Sequence, residues 1–427
     1  MASSPKLNGD ARKVLDTYLR DTVQGHDVPA LHFGVTSADD IIYFNQAGDR
    51  VFGEPDMGQV DQDTTLELFS MTKFVTTVAC LIAIDRGLIS LDSEELIEKY
   101  LPELGKLEIL EGYTEDGQPI LRPAQTKITL KMLMSHNSGL SYNFSSPDIL
   151  RWRAENKVPH MLGPGVTFET LIQPLVFEPG SAWKYSIGLD WAGELLVRVT
   201  GQSLETFYKE NIFDPCGAHS LSFYPNEDIM ARKQAVCTRD SDGKIELLKG
   251  TAMGRTLDAS AVGPFLAGGA GLFGTARDYL LILQHVLKCS PHNPHPPTKP
   301  LFAASSFDLL FKHACVEGTP EKPVTSKADM AKMAAGQTYH DPAHLADEGA
   351  LVGHSIGLFL NLADSKNGRK AGSGTWDGAA KTQFWIDPSS GLAGVCCTNL
   401  LAPNPDYFMK VYNSFERKVY DGLEASK

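Results

Sequence analysis

A serine stands three residues ahead of a lysine in Ser70-Met71-Thr72-Lys73, at the head of a mainly apolar run that stops at Gly87. This spacing predicts both side chains on one face of a helix, about one turn apart. At the first turn the serine would also meet unpaired backbone N–H groups and the positive end of the helix dipole. A serine hydroxyl is a weak nucleophile until a base takes its proton. Lysine can act as that base only where burial or a nearby cation lowers its pKa. The pair is therefore a candidate nucleophile and base. The same spacing recurs at Ser3-Ser4-Pro5-Lys6 and at Ser181-Ala182-Trp183-Lys184. The first lies in a polar N-terminal stretch and the second follows the turn signal Pro179-Gly180. Only Ser70 opens a hydrophobic helix, where a lysine without a task would be costly to bury.

Other chemistries find less support. Gly353-His354-Ser355-Ile356-Gly357 matches the Gly-x-Ser-x-Gly nucleophile elbow, which needs a strand before it, a helix after it and a histidine further on. Leu358 to Leu362 read as strand and no histidine follows His354, so Ser355 is expected to be a strand residue beside the site. His292 and His295 flank prolines in a loop, where histidines are usually solvated, and His136 at a helix end reads as a cap. No His-Glu-x-x-His, Cys-x-x-Cys or phosphate-loop pattern occurs, and neither a metal nor a cofactor is expected.

The elements that must carry Ser70 and Lys73 can be read in outline. The chain has 427 residues, 42% hydrophobic and 21% charged, with a net charge of −13. That length favours two lobes, and the negative charge argues against a nucleic-acid partner. No apolar stretch is long enough for a membrane span, and the polar start lacks a secretory segment. Seven cysteines at irregular spacing do not resemble a disulfide framework, Cys396-Cys397 read as core filler, and a cytoplasmic enzyme is expected. Periodicity predicts a helix over 10–25, strands at 31–35 and 41–45, and the Ser70 helix. Further helices are expected at 128–134, 189–200, 204–212 and 276–287, short strands at 356–362, 382–386 and 392–398, and a closing helix over 407–423. Residues 1–104 and 251–427 would form an α/β lobe on an antiparallel sheet, and 105–250 a mostly helical lobe. The proline-rich stretch after Pro291 marks an irregular insertion at about 289–350.

The order of motifs supplies a resemblance. Ser70-Met71-Thr72-Lys73 is followed by Trp183-Lys184-Tyr185-Ser186, then Gly268-Gly269-Ala270-Gly271-Leu272, and finally Trp376-Asp377-Gly378. This series resembles the serine β-lactamase and penicillin-binding-protein superfamily, in its class C-like esterase branch. The stretches Lys127 to Leu130, Ser138 to Tyr142 and Leu189-Asp190-Trp191-Ala192-Gly193 are similar to fungal polyketide transesterases of the lovastatin acyltransferase type. The resemblance implies an α+β, β-lactamase-like fold, with Ser70 as the acylated nucleophile, Lys73 as its partner in proton transfer and Tyr185 as the third catalytic member. A nearby cation would lower the Tyr185 phenol so that it shares the proton. The resemblance also implies an oxyanion hole from the N–H groups of Ser70 and Ala379, and substrate contacts at Trp376, Gly378, Phe69 and Tyr142. Trp376 could equally be core packing.

Departures from the lactamase pattern narrow the function. Tyr185-Ser186-Ile187 stands where lactamases carry Tyr-x-Asn, and Lys381-Thr382-Gln383 lacks the glycine of Lys-Thr-Gly and sits late in its strand. Without those groups a lactam is poorly held, and a neutral ester or thioester is the expected acyl donor. The reading is a serine acyltransferase that moves an acyl group through Ser70 to an alcohol or amine of a secondary metabolite. Its partners would be a small-molecule donor and acceptor, with an acyl carrier domain of a synthase as a further candidate. A carboxylesterase is the alternative, and a catalytically silent binding protein a more distant one.

Overall fold

The computed structural model describes residues 4–25, 28–159, 166–224, 226–249, 252, 265–314, 352–402 and 406–424. Seven antiparallel strands form the main sheet: β1 (Ala30–Thr36), β2 (Ile41–Gly48), β3 (Val352–His354), β4 (Phe359–Asn361), β5 (Gly374–Gly378), β6 (Thr382–Asp387) and β7 (Leu392–Cys397). Their order across the sheet is β2-β1-β7-β6-β5-β4-β3. The two ends of the chain are thus neighbours in the middle of the sheet, with Gly34 opposite Val395. The helices that matter here are α1 (Gly9–Gln24), α2 (Thr72–Asp85), α3 (Gly188–Thr200), α4 (Ala276–Lys288), α5 (Ala304–Phe311) and α6 (Tyr407–Asp421).

Strand β1 is buried at every position, because the sheet is covered on both faces. Leu31, Phe33 and Val35 point to one face and join Leu15 and Leu19 of α1 and Phe408 and Phe415 of α6. Side chains alternate along a strand, so Gly34 and Thr36 face α4, where a Cβ on Gly34 would sit 2.9 Å from Leu280 and Thr36 accepts a hydrogen bond from Gln284. On that side α2 is buried from Thr72 to Ala83. A helix apolar on all sides belongs inside a core, and its cluster runs without a break from Ile109 and Leu195 to Phe384 and Val395. The two lobes proposed from the sequence therefore share one core. Cys397 is fully buried in it and Cys396 in the cluster on the opposite face of the sheet, and no described helix is long and apolar enough to cross a membrane.

Residues 105–250, expected as mostly helical, also carry a β-hairpin, Glu108–Tyr113 with Pro119–Pro123, beside their helices. Two expectations need correction. The stretch from 289 is not irregular throughout. Helix α5 buries Phe307 and Leu310, and its first turn is capped from outside by Asp85, which accepts from the Ala303 N–H and the Ser306 hydroxyl. Residues 315–351 lie outside the described residues. Finally, 356–362 is not one strand. Ser355 sits in the turn between β3 and β4, where its Oγ accepts the N–H groups of Gly357 and Leu358, so it serves as a turn residue.

A buried ion pair fastens α6 to the connection between β4 and β5. The Arg369 Nε lies 2.9 Å from Glu416, with both side chains at most 1% exposed. Removing one partner of such a pair is costly because the other stays buried without its counter-charge. Glu416→Gln is expected to lower stability by about 3 kcal/mol, measured by urea unfolding.

Candidate active site

Ser70 lies in a single 3-10 turn, Phe69–Met71, that leads directly into α2. Its predecessor Phe69 has φ of +47°, a conformation uncommon for a side chain of that size. Surrounding ties hold this strained turn in place. The Leu68 N–H donates to the Leu272 carbonyl, the Leu68 carbonyl accepts from the Thr382 hydroxyl, and the Met71 carbonyl accepts from Tyr279. Three residues ahead of Ser70, Glu67 is fully buried and pairs with Lys233 at 3.0 Å.

The turn and the first turn of α2 bring Ser70 and Lys73 together. Lys73 Nζ donates to Ser70 Oγ at 3.3 Å, to the Tyr142 hydroxyl at 2.8 Å and to the Gly269 carbonyl at 2.7 Å. The Tyr185 hydroxyl donates to Ser70 Oγ at 2.7 Å. Lys73 is 1% exposed, whereas Ser70 is only partly covered. Burial pulls the Lys73 ammonium down to about 8, against the pull of Asp190 and Asp377 to keep its proton. Burial works in the opposite sense on Tyr185 and pushes its phenol up, which the hydrogen bond with Ser70 does not offset. The expected lowering of Tyr185 by a cation is therefore not what the site displays. At rest Tyr185 is a proton donor, and the group poised near neutrality is Lys73.

The glycine-rich stretch is held along one face of α2. Thr72 Oγ1 accepts the N–H groups of Gly271 and Leu272, Thr76 Oγ1 donates to the Gly268 carbonyl, and Lys73 takes the Gly269 carbonyl between them. A Cβ on Gly269 would lie 2.3 Å from a carboxylate oxygen of Asp190, and one on Gly268 would lie 2.7 Å from the Leu189 carbonyl. Only glycine lets this backbone come so close.

The remaining expected residues fall as follows. Tyr142 is buried and is a direct partner of Lys73. Phe69 is 4% exposed and packs with Ala270 and Ala380, so its role in the free protein is to seat the turn. Gly378 ends β5 against that turn, where a Cβ would meet the Leu68 carbonyl at 2.3 Å, and the exposed Ala379 follows it. Trp376 is buried with its ring centroid 5.5 Å from Tyr185 and 5.7 Å from His136, in a cluster that includes Trp183 and His354. Of the other Ser-x-x-Lys copies, Ser181 is an exposed turn residue bonded to the Glu178 carbonyl, Ser241 of Ser241-Asp242-Gly243-Lys244 is likewise exposed in a turn, and Ser3 lies outside the described residues.

Three residues were not expected at the site from the sequence. His136 is no simple cap. It has φ of +61°, its ring is buried 5.1 Å from Tyr185, its Nδ1 accepts the Ser186 N–H, and its carbonyl accepts from Lys184. It thereby fixes the Trp183–Ser186 segment from both sides, and burial keeps it and His354 neutral, His354 at about 3. Asp190 is 4% exposed on α3 and accepts the Gly269 N–H at 2.8 Å. An acid within the apolar Leu189-Asp190-Trp191-Ala192 was the available signal. Phe144 is 56% exposed, stacks on Tyr142 at 4.8 Å and lies 6.3 Å from Tyr185, which makes it an apolar rim to the site.

The arrangement can carry out acyl transfer through an ester on Ser70: a partly exposed hydroxyl, a lysine that can lose its proton near neutral pH, and a phenol that can return one. Comparisons with known proteins give the family and its relatives. The beta-lactamase family matches residues 15–417. The chain is similar to a lovastatin esterase of Penicillium rubens, 31% identical over 90% of this chain and 92% of that protein. It is also similar to a monacolin J acid methylbutanoyltransferase of Aspergillus terreus, 29% identical over 95% of each. Among solved structures, unliganded simvastatin synthase from Aspergillus terreus aligns with a TM-score of 0.81 at 27% identity, covering 97% of this chain and 98% of that one.

The close fit at Gly269 can be tested. Gly269→Ala is expected to slow labelling of Ser70 by a fluorophosphonate about tenfold or more, because Lys73 loses its seat. Gly105→Ala, where a Cβ would meet nothing within 4 Å, is expected to leave the labelling rate unchanged.

Proposed function

Because this chain belongs to the beta-lactamase family, we propose that it is a serine acyltransferase that moves an acyl group from a thioester or ester to an alcohol of a secondary metabolite. The observation that carries this reading is the convergence of Lys73 Nζ and the Tyr185 hydroxyl on Ser70 Oγ, at 3.3 and 2.7 Å. Lys73 in its amine form takes the Ser70 proton as Oγ bonds to the donor carbonyl carbon. The oxyanion accepts from the N–H groups of Ser70 and Ala379. As the tetrahedral intermediate collapses, the bond from carbon to the leaving sulfur or oxygen breaks and Tyr185 protonates the departing group. The proton on Lys73 then restores Tyr185. An alcohol resolves acyl-Ser70 by the same steps in reverse, and the enzyme returns unchanged.

Transfer is favoured over simple hydrolysis by similarity to the methylbutanoyltransferase and by the apolar Phe144 at the rim, which suits an apolar acceptor. The similar lovastatin esterase supports the alternative that water is the acceptor. Delivery of the acyl group by a carrier domain is a finer form of the same proposal.

Intact-protein mass spectrometry after incubation with a short acyl thioester separates these outcomes. An acyl adduct absent in Ser70→Ala, cleared slowly by water and quickly by an alcohol, is expected. Rapid release of free acid unaffected by alcohol would instead establish an esterase. The acylation rate is also expected to rise with pH to a half-maximum near 8, since Lys73 is a base only after losing its proton. Lys73→Arg should remove that limb and lower the rate more than about 100-fold, because a guanidinium keeps its proton.

A further inference from the structure

The roles given to Ser70, Lys73 and Tyr185 leave a second buried arm of their network without a task. Lys73 has two acceptors besides Ser70, the Tyr142 hydroxyl and the Gly269 carbonyl, and Asp190 stands behind both. Its Oδ1 accepts the Gly269 N–H at 2.8 Å, and its carboxylate shares a hydrogen bond with Tyr142. Residue Gly269 thus carries Asp190 on its N–H and Lys73 on its carbonyl, while Tyr142 touches both. Asp190, Tyr142 and Lys73 are each at most 4% exposed. We propose that Asp190 is a positioning residue for acyl transfer, which through Tyr142 and Gly269 holds Lys73 against Ser70 and sustains the positive charge that Lys73 takes on as Ser70 attacks. This rests on the reading of Ser70 and Lys73 as nucleophile and base.

A buried carboxylate persists only where a cation and hydrogen bonds compensate its desolvation. Burial raises Asp190, and the neighbouring Lys73 opposes that rise most strongly. In return Asp190 is the foremost anion that keeps the proton on Lys73, ahead of Asp377 on β5. The other groups facing the pair are Tyr142, Tyr185 and Tyr208, which burial keeps as neutral phenols, and the neutral His136. When Oγ attacks, its proton moves to Lys73 Nζ. The ammonium then donates to two acceptors already aligned by Asp190, and Asp190 itself exchanges no proton. The arrangement parallels a carboxylate that orients a base in a triad, with lysine as the base.

The test is the pH dependence of Ser70 labelling by a fluorophosphonate and of acyl transfer from a short thioester, in the wild type, Asp190→Asn and Tyr142→Phe. Folding is checked by circular dichroism and melting temperature. Asp190→Asn can keep a bond to the Gly269 N–H but loses the charge. Its rising limb is expected about one pH unit lower, with a plateau about tenfold lower or more. Tyr142→Phe, which keeps the ring that stacks with Phe144, should shift the limb in the same direction by less. A limb that stays in place in both variants, whatever the plateau, would overturn the proposal and leave Asp190 a structural role. If Asp190→Asn does not fold, the Tyr142→Phe limb decides alone. A wild type not labelled at Ser70 at any pH would overturn the parent reading and this inference together.

Discussion

Placing one lysine nitrogen inside the protein sets most of the local design. An ammonium group stripped of water needs acceptors in nearly every direction it can donate. Lys73 meets that demand with one serine, one phenol and one backbone carbonyl. The carbonyl can serve only if the chain carrying it lies flat against α2, which explains the glycines at 268 and 269 and the threonines at 72 and 76 that pin the stretch. Each of these residues looks like separate packing until the nitrogen is placed among them. The site is therefore built outward from a desolvation problem.

The same constraint orders the proton chemistry. A cation beside a phenol favours the phenolate, whereas burial in a low-dielectric setting disfavours it. Around Tyr185 burial is the larger influence, and Asp377 and Asp190 add to it. Lys73 feels burial in the opposite sense and comes down toward neutrality. One environment thus separates two groups that would otherwise titrate close together: the phenol becomes the keeper of its proton and the amine the one able to accept. In the proposed mechanism the base role goes to lysine because of the sign of desolvation on each group, with no special property asked of tyrosine.

Much of this was legible in the sequence. The α2 helix announced itself by an apolar run ended at Gly87, which adopts φ of +69° as a C-terminal glycine should. Strands β1, β2, β6 and β7 carried short apolar runs between turn residues, and the three-residue spacing of Ser70 and Lys73 implied one helix face, where their side chains meet. What escaped depended on contacts between distant residues. Helix α5 lacks a local cap because Asp85, over 200 residues earlier, supplies it. Ser355 resembled a strand residue because its turn is made by its own side chain, a competition that periodicity does not register. Asp190 is one acid in an apolar helix, and its partners come from three separate segments.

The strained backbone at Phe69 belongs to the same account. Non-glycine residues with positive φ persist only where their surroundings over-determine them. Here the turn is gripped by β6 through Thr382, by the glycine-rich stretch through Leu272 and by α4 through Tyr279. Those are the elements that also bring up Ala379 and the Gly269 carbonyl. A relaxed turn would let Ser70 swing while Lys73 stayed fixed in its bonds to Tyr142 and Gly269, and the 3.3 Å approach between them would be lost. The strain therefore couples the sheet to Ser70: the core that fixes the sheet also fixes the direction of the proposed nucleophile.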